Sequence, residues 1–286
     1  MNPRNRNILI AVVIIVIVAV AAFFGFNHKS NTSNASSKTV NIGIMTGTKA
    51  DDTVWKAVSK EAKDKYGITL TFTHFTDYTQ PNTALANGDI DLNSFQHYAF
   101  LNAWNKANKG TLQPIGDTFI SPIKLYSTKV KSVSDITDGS TIAVPNDASN
   151  ESRALYVLKN AGLIGLDVSG NTLATVKDIN SNPKKLQIKE LDASQTARAL
   201  DSVEAAVINT NYATAANITP EQAIYTEPLN KDSQQWINII VANKKDAKNP
   251  IYLDVVKAYE SSAVKAAIAQ AYPDKAEIPA WGLNLK

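Results

Sequence analysis

Three patterns of apolar and polar positions follow one another along the chain. Residues Ile8 to Phe26, ILIAVVIIVIVAVAAFFGF, form an unbroken apolar run. As a helix rising about 1.5 Å per residue it would reach roughly 28 Å, close to the ~30 Å hydrocarbon core of a bilayer. Residues Asn27 to Lys38, NHKSNTSNASSK, are polar and aperiodic, and read as a flexible tether with a reach on the order of 20 Å. From Thr39 onward, short strand-like runs alternate with helical segments, the signature of an α/β fold.

In the α/β part, TVNIGIMTG (Thr39 to Gly47) predicts a first strand. DDTVWKAVSKEAKDKYG predicts an amphipathic helix capped by Asp51 or Asp52 and ended by Gly67. ITLTFTHF, a short helix in QPNTALANGD, IDLNSF and a helix through QHYAFLNAWNKAN complete this series. A second series starts at STIAVPN (Ser140 to Asn146) and runs through the helix NESRALYVLKNAG to the strands LQIKEL and AAVINTNY. The chain ends on the strand WINIIVAN and one long predicted helix, YLDVVKAYESSAVKAAIAQAYP. Two series joined by strand-like connections, ISPIKLYSTKV (Ile120 to Val130) and IYTEPLNKD (Ile224 to Asp232), predict two lobes and a cleft. Residues 39–122 plus 232–286 form the first lobe in this reading, and 123–231 the second. Ligands of such sheets bind beyond the carboxyl ends of the strands.

Charge and composition narrow the function. Across 286 residues, 29 Lys+Arg stand against 26 Asp+Glu, a balance that argues against a nucleic-acid partner. No cysteine is present, which excludes disulfides, thiolate metal sites and a lipid-modified cysteine in this sequence. Arg4 and Arg6 before the apolar run put residues 1–7 in the cytoplasm and everything after residue 26 outside. The run is longer than the roughly 7–15 apolar residues of a secretory signal. Cutting after AVA (Ala19 to Ala21) would expose AFFGF, so a retained transmembrane anchor at 8–26 is expected.

Few side chains carry chemistry. Of four arginines, two flank the apolar run, leaving Arg153 and Arg198. Arg153 falls at a predicted helix start, with Asp147, Ser149 or Asn150 as cap. It reads either as a solvated helix arginine or as a carboxylate site, where a guanidinium adds two parallel hydrogen bonds to the positive helix end. Arg198 reads as the solvated case. His97, in NSFQHYAFL among Phe95, Tyr98 and Phe100, is either a satisfied structural histidine or a pocket residue. His28 and His74 receive no role. Asn209, at the end of a buried strand, and Asn238, in an apolar run, either cap loops or accept from an ammonium. No HExxH, GxSxG, Walker or GxGxxG motif occurs. No nucleophile is assembled with a base, so no catalytic residue, metal or cofactor is expected.

Several ordered segments make the chain resemble a known family: FTDYTQPNTAL, GDIDLNSFQH, PIKLYS, VPNDASNESRAL, AAVINTNYA, KDSQQWINIIVAN and IPAW. They are similar to the NlpA/MetQ-like, methionine-binding substrate-binding proteins of bacterial ABC importers, from about Val40 to Trp281. The resemblance implies a two-lobed periplasmic-binding-protein fold (type II-like) that closes on a free amino acid, usually methionine. Its implied partners are a membrane permease and ATPase, and a monomer is expected. It also implies ligand residues. Tyr78 and Phe95 would wall the side-chain pocket, with His97 beside the ligand. Asn150 and Arg153 would hold the carboxylate, and Asn209 and Asn238 would fix the amino group. Phe100 stands where the family commonly has tyrosine, Tyr98-Ala99 replace Lys-Pro, and KDSQQWIN differs from the usual DSPYVN. The expected activity is extracytoplasmic capture of methionine or a related amino acid by a membrane-anchored binder. The alternatives are a methionine-containing dipeptide, another apolar amino acid, or a surface adhesin or sensor on the same fold.

Overall fold

The computed structural model describes residues 38–169 and 172–285. The assignments made for 1–7, 8–26 and nearly all of 27–38 lie outside the described residues. Among those described, no helix is long and apolar enough to cross a membrane.

The chain opens with β1 (Lys38–Met45), α1 (Lys49–Tyr66), β2 (Ile68–Phe75), α2 (Pro81–Asn87), β3 (Leu92–His97), α3 (Tyr98–Ala107) and β4 (Leu112–Asp117). It continues through β5 (Phe119–Ile120), β6 (Lys124–Tyr126), β7 (Thr141–Pro145), α4 (Ala148–Asn160), β8 (Gly165–Leu166) and β9 (Ile179–Ser181). Then come β10 (Gln187–Leu191), α5 (Ala193–Ala199), β11 (Ala205–Ile208), α6 (Thr210–Ala215) and β12 (Ala223–Thr226). β13 (Asn238–Asn243), α7 (Pro250–Tyr259), α8 (Ser262–Ala271) and β14 (Ile278–Pro279) complete it.

Two five-stranded sheets organise these elements, in the orders β2-β1-β3-β13-β4 and β10-β7-β11-β6-β12. The strands β2, β1 and β3 run parallel, as do β10, β7 and β11. The returning strands β13 and β6 are antiparallel to their neighbours. Both faces of each sheet are covered. Val54, Val58 and Ala62 of α1 pack with Val255 and Ile268 on one face of the first sheet, and Leu85 and Leu101 cover the other. Leu155 and Leu158 of α4 pack under the second sheet, with Leu200 and Ala213 opposite. Burial on both sides explains why AAVI and IIVA are continuously apolar rather than alternating. The chain passes between the sheets at residues 118–123 and 227–237, where Glu227 N donates to Ile123 O at 3.0 Å.

Two local expectations are corrected. The single long helix near the C-terminus is two, α7 and α8. Ser261 takes extended backbone (φ −78°, ψ 158°) and its Oγ accepts from Val264 N, because a serine caps a new helix better than it continues an old one. At α1 the cap is Thr48 rather than Asp51 or Asp52. Asp51 stands three residues in and accepts from Thr48 N at 2.6 Å, closing a capping box. The helix ends at Gly67, whose φ of 67° is the left-handed turn expected of it.

Candidate functional site

The carboxyl ends of the parallel strands deliver polar and aromatic residues to one cavity, where ligands of such sheets bind. From the first sheet come Met45 at the end of β1, Tyr78 after β2, and Phe95 and His97 on β3; from the second come Asn150 and Arg153 on α4 and Asn209 after β11. Tyr78, Phe95, His97, Phe100, Asn150, Arg153, Asn209 and Asn238, all expected from the sequence, line this cavity together.

Asp147 caps α4. Its carboxylate accepts from Asn150 N at 3.0 Å and from both sides of the Asn150 amide nitrogen, at 2.8 and 3.0 Å. That orientation turns Asn150 Oδ1 toward His97 Nε2 (3.3 Å) and Asn209 Nδ2 (2.8 Å). His97 caps α3, its Nδ1 accepting from Phe100 N at 3.1 Å, so the ring proton is assigned to Nε2. Burial, and then the positive charge of Arg153, hold the His97 pKa at about 3, below its ordinary 6.5. The imidazole is therefore neutral at physiological pH and donates through Nε2.

Arg153 is 3% exposed and its carboxylate partner Glu227 is 8% exposed. Nε reaches Glu227 Oε1 at 2.9 Å, Nη2 reaches Oε2 at 2.5 Å, and Nη2 also donates to Ser121 O at 2.8 Å. The guanidinium lies 4.9 Å over the Trp236 ring, a cation–π contact. The bidentate bond expected for a ligand is thus made to Glu227, inside the protein. Nη1 carries no hydrogen bond among the described residues. The buried atoms without a partner among the described residues include Asn209 Oδ1 and Ser121 Oγ. Both belong to cavity-lining residues.

The apolar wall is a triad. Tyr78, Phe95 and Phe100 have ring centroids 5.7–5.9 Å apart, tilted or edge-on, a favourable arrangement of ring quadrupoles. The Tyr78 hydroxyl donates to Asn211 Oδ1 at 2.6 Å, and burial pushes its phenol well above the ordinary 10.0. Tyr78 also stacks at 5.0 Å on Tyr212, so residues before α2 touch residues on α6. At its other end the cavity reaches Asp51, Trp55 and Glu277. Burial, and then the Asp51 charge, raise the Glu277 carboxyl well above the usual range.

Arg198 does not line this cavity, and His74 sits exposed on β2. Sequence reasoning missed Ser121, Asn211, Glu227 and Trp236. Only Glu227 and Trp236 had a signal: a carboxylate inside the predicted crossing YTEPLN, and a lone tryptophan in the divergent KDSQQWIN. No group of three or more metal-ligand side chains gathers among the described residues.

Two α/β sheets sharing one enclosed cavity at their strand ends define a substrate-binding-protein fold, and solved structures match it closely. A methionine-transporter substrate-binding protein of Streptococcus pneumoniae superposes with a TM-score of 0.81 at 48% identity, over 85% of this chain and 96% of that one. A nutrient-binding protein of Burkholderia cenocepacia bound to methionine gives 0.79 at 44% identity, over 84% and 99%. The chain belongs to the NlpA lipoprotein family, whose profile matches residues 40–281. Among its relatives, the probable D-methionine-binding lipoprotein MetQ of Vibrio cholerae is 42% identical over 82% of this chain and 85% of its own length. The D-methionine-binding lipoprotein MetQ of Escherichia coli K12 is 42% identical over 79% and 82%.

Proposed function

We propose that this protein is the substrate-binding component of an ABC importer, capturing methionine or a closely related amino acid and delivering it to a permease and its ATPase. The observation that carries the reading is the pair of unpartnered groups of opposite kind in one cavity. Arg153 Nη1 is a cationic donor and Asn209 Oδ1 a buried acceptor, matching the carboxylate and ammonium of a zwitterion. In this reading Ser121 and Asn238 complete the polar end, and His97 with Asn150 fixes its floor. Tyr78, Phe95 and Phe100 receive the thioether, which gains from sulfur–aromatic contact. The related names and the bound methionine of the Burkholderia protein support the same ligand.

Capture is by closure of two lobes, 39–122 plus 232–286 against 123–231, hinged at the two crossing segments. The protein acts as a monomer outside the cytoplasmic membrane. Its relatives are named lipoproteins, whereas this sequence has no cysteine to lipidate; in this reading the apolar run 8–26 takes over the anchoring.

Calorimetry with L- and D-methionine, methionine methyl ester and methionine-containing dipeptides tests the ligand. Free methionine of at least one hand is expected to bind. The ester, lacking the carboxylate, should bind roughly 30-fold or more weakly, the loss of about 2 kcal/mol or more that accompanies breaking a buried charge-assisted contact. Equal affinity for ester and acid overturns the site, and a dipeptide binding more tightly than methionine overturns the ligand.

A further inference from the structure

Resting on the amino-acid reading above, we infer that Glu227 is a specificity-determining and positioning residue, which makes the cavity select zwitterions over anions of the same shape. Glu227 follows β12 in the second crossing segment, 74 residues from Arg153. Its carboxylate does two things at once. It grips the Nε and Nη2 edge of the guanidinium and accepts from Ile123 N at 3.2 Å, in the first crossing segment. Arg153 Nη2 closes the same loop through Ser121 O. The guanidinium is therefore held by both crossing segments through Nε and Nη2, which leaves Nη1 as the nitrogen without a protein hydrogen bond.

The electrical consequence follows from the pairing. Arg153 and Glu227 together are neutral, and His97 is neutral beside them. A ligand entering this enclosure meets no net positive charge to offset a net negative one. A zwitterion brings none, and its ammonium finds Asn209 Oδ1, the acceptor without a partner. An anion of equal shape brings a charge that the Arg153–Glu227 pair does not balance, and leaves that acceptor with a weaker donor. In a low-dielectric enclosure such an imbalance is costly.

The probes are methionine and its 2-hydroxy analogue, 2-hydroxy-4-(methylthio)butanoate, in which a hydroxyl replaces the ammonium and the carboxylate stays. Calorimetry on the full chain gives the ratio of the two affinities. The parent should favour methionine. Glu227→Gln, nearly isosteric but neutral, leaves Arg153 with a net positive charge, so the ratio should shift toward the hydroxy acid by roughly tenfold or more. Glu227→Asp keeps the charge on a shorter arm. It should preserve the ratio while weakening both ligands alike, and it carries the positioning half of the test alone if circular dichroism shows Glu227→Gln unfolded. A ratio unchanged in Glu227→Gln, a ratio shifted equally in Glu227→Asp, or undiminished binding in Glu227→Asp overturns the inference while methionine binding by the parent upholds the amino-acid reading. A parent that binds neither probe overturns that reading itself.

Discussion

Two buried polar clusters flank β3, and only one of them is closed. In the first, Asn82 of α2 and Asn93 and Gln96 of β3 are almost fully buried. Asn82 Nδ2 donates to Gln96 Oε1, while Asn82 Oδ1 accepts from both Asn93 Nδ2 and Gln96 Nε2. Gln96 Nε2 also reaches Asn93 Oδ1, and Asn93 Nδ2 reaches Pro81 O. In the second, Asn209 Oδ1 and Ser121 Oγ are buried without protein partners, and the Arg153 hydrogen bonds use Nε and Nη2 but not Nη1. Both places are buried. What separates a structural polar cluster from a binding one is the completeness of its hydrogen bonding. The closed cluster ties α2, and with it the Tyr78 loop, to the strand bearing Phe95 and His97.

The contrast can be broken most severely at Arg153. Arg153→Met leaves Glu227 as an uncompensated buried carboxylate, and about 3–5 kcal/mol of stability should be lost in urea unfolding, together with methionine binding in calorimetry. A loss below 1 kcal/mol would mean that the ion pair is not buried as described. The next effect is pH-dependent. The folded pKa of His97, about 3, lies below the ordinary 6.5, so its contribution is complete above pH 6.5 and lost as pH falls toward 3. Between these limits the unfolded chain takes a proton that the native state refuses, costing about 1.4 kcal/mol per pH unit at most. The groups facing the ring are Asn150, Phe100, Trp236 and the Arg153 charge. Unfolding curves for the parent and His97→Asn at pH 7, 5 and 4 should converge on acidification, and parallel curves would refute the shift.

In the closed cluster, Asn82→Leu strips Gln96 Oε1 of its donor, while Asn93 Nδ2 keeps Pro81 O and Gln96 Nε2 keeps Asn93 Oδ1. The group so stranded costs about 1–3 kcal/mol, read as a lower Tm, while the affinity ratio among ligands should stay that of the parent. A changed ratio would erase the distinction between the clusters. The smallest effect belongs to Ser121→Ala. Its hydroxyl has no protein partner, so the apo protein should change by about 0.5 kcal/mol or less, and the methionine-induced rise in Tm should shrink. Measurable destabilisation of the apo form would place a hidden partner on that hydroxyl.

Much of this could be read along the chain because it depends on near neighbours. Gly67 ends α1 and Asp147 opens α4, since caps act within three or four residues. The strand runs announce themselves by composition, continuous where both faces are covered. Legibility failed where two local preferences competed, as at Ser261, which restarts a helix that periodicity would have continued. It failed again at Thr48, where a better cap stood three residues upstream of the acids. For the site, the family segments brought eight residues forward that now line one cavity, but their partners stayed hidden. Asn211 meets Tyr78 across 133 residues and Glu227 meets Arg153 across 74, and no periodicity links such positions.

The sequence by itself determined the α/β alternation, helix ends such as Gly67 and Asp147, the apolar segment ahead of the domain and the kinds of side chain brought to the strand ends, because each depends on backbone preference, hydrophobic period or composition. Only the tertiary structure decided which polar atoms are satisfied. Arg153 read as a ready-made bidentate carboxylate clamp, yet Glu227 occupies that edge and leaves Nη1 alone for a ligand. Hydrogen-bond satisfaction is a property of groups converging from distant parts of the chain, and it exists only once two sheets and their crossing segments have been brought within 3 Å of one another.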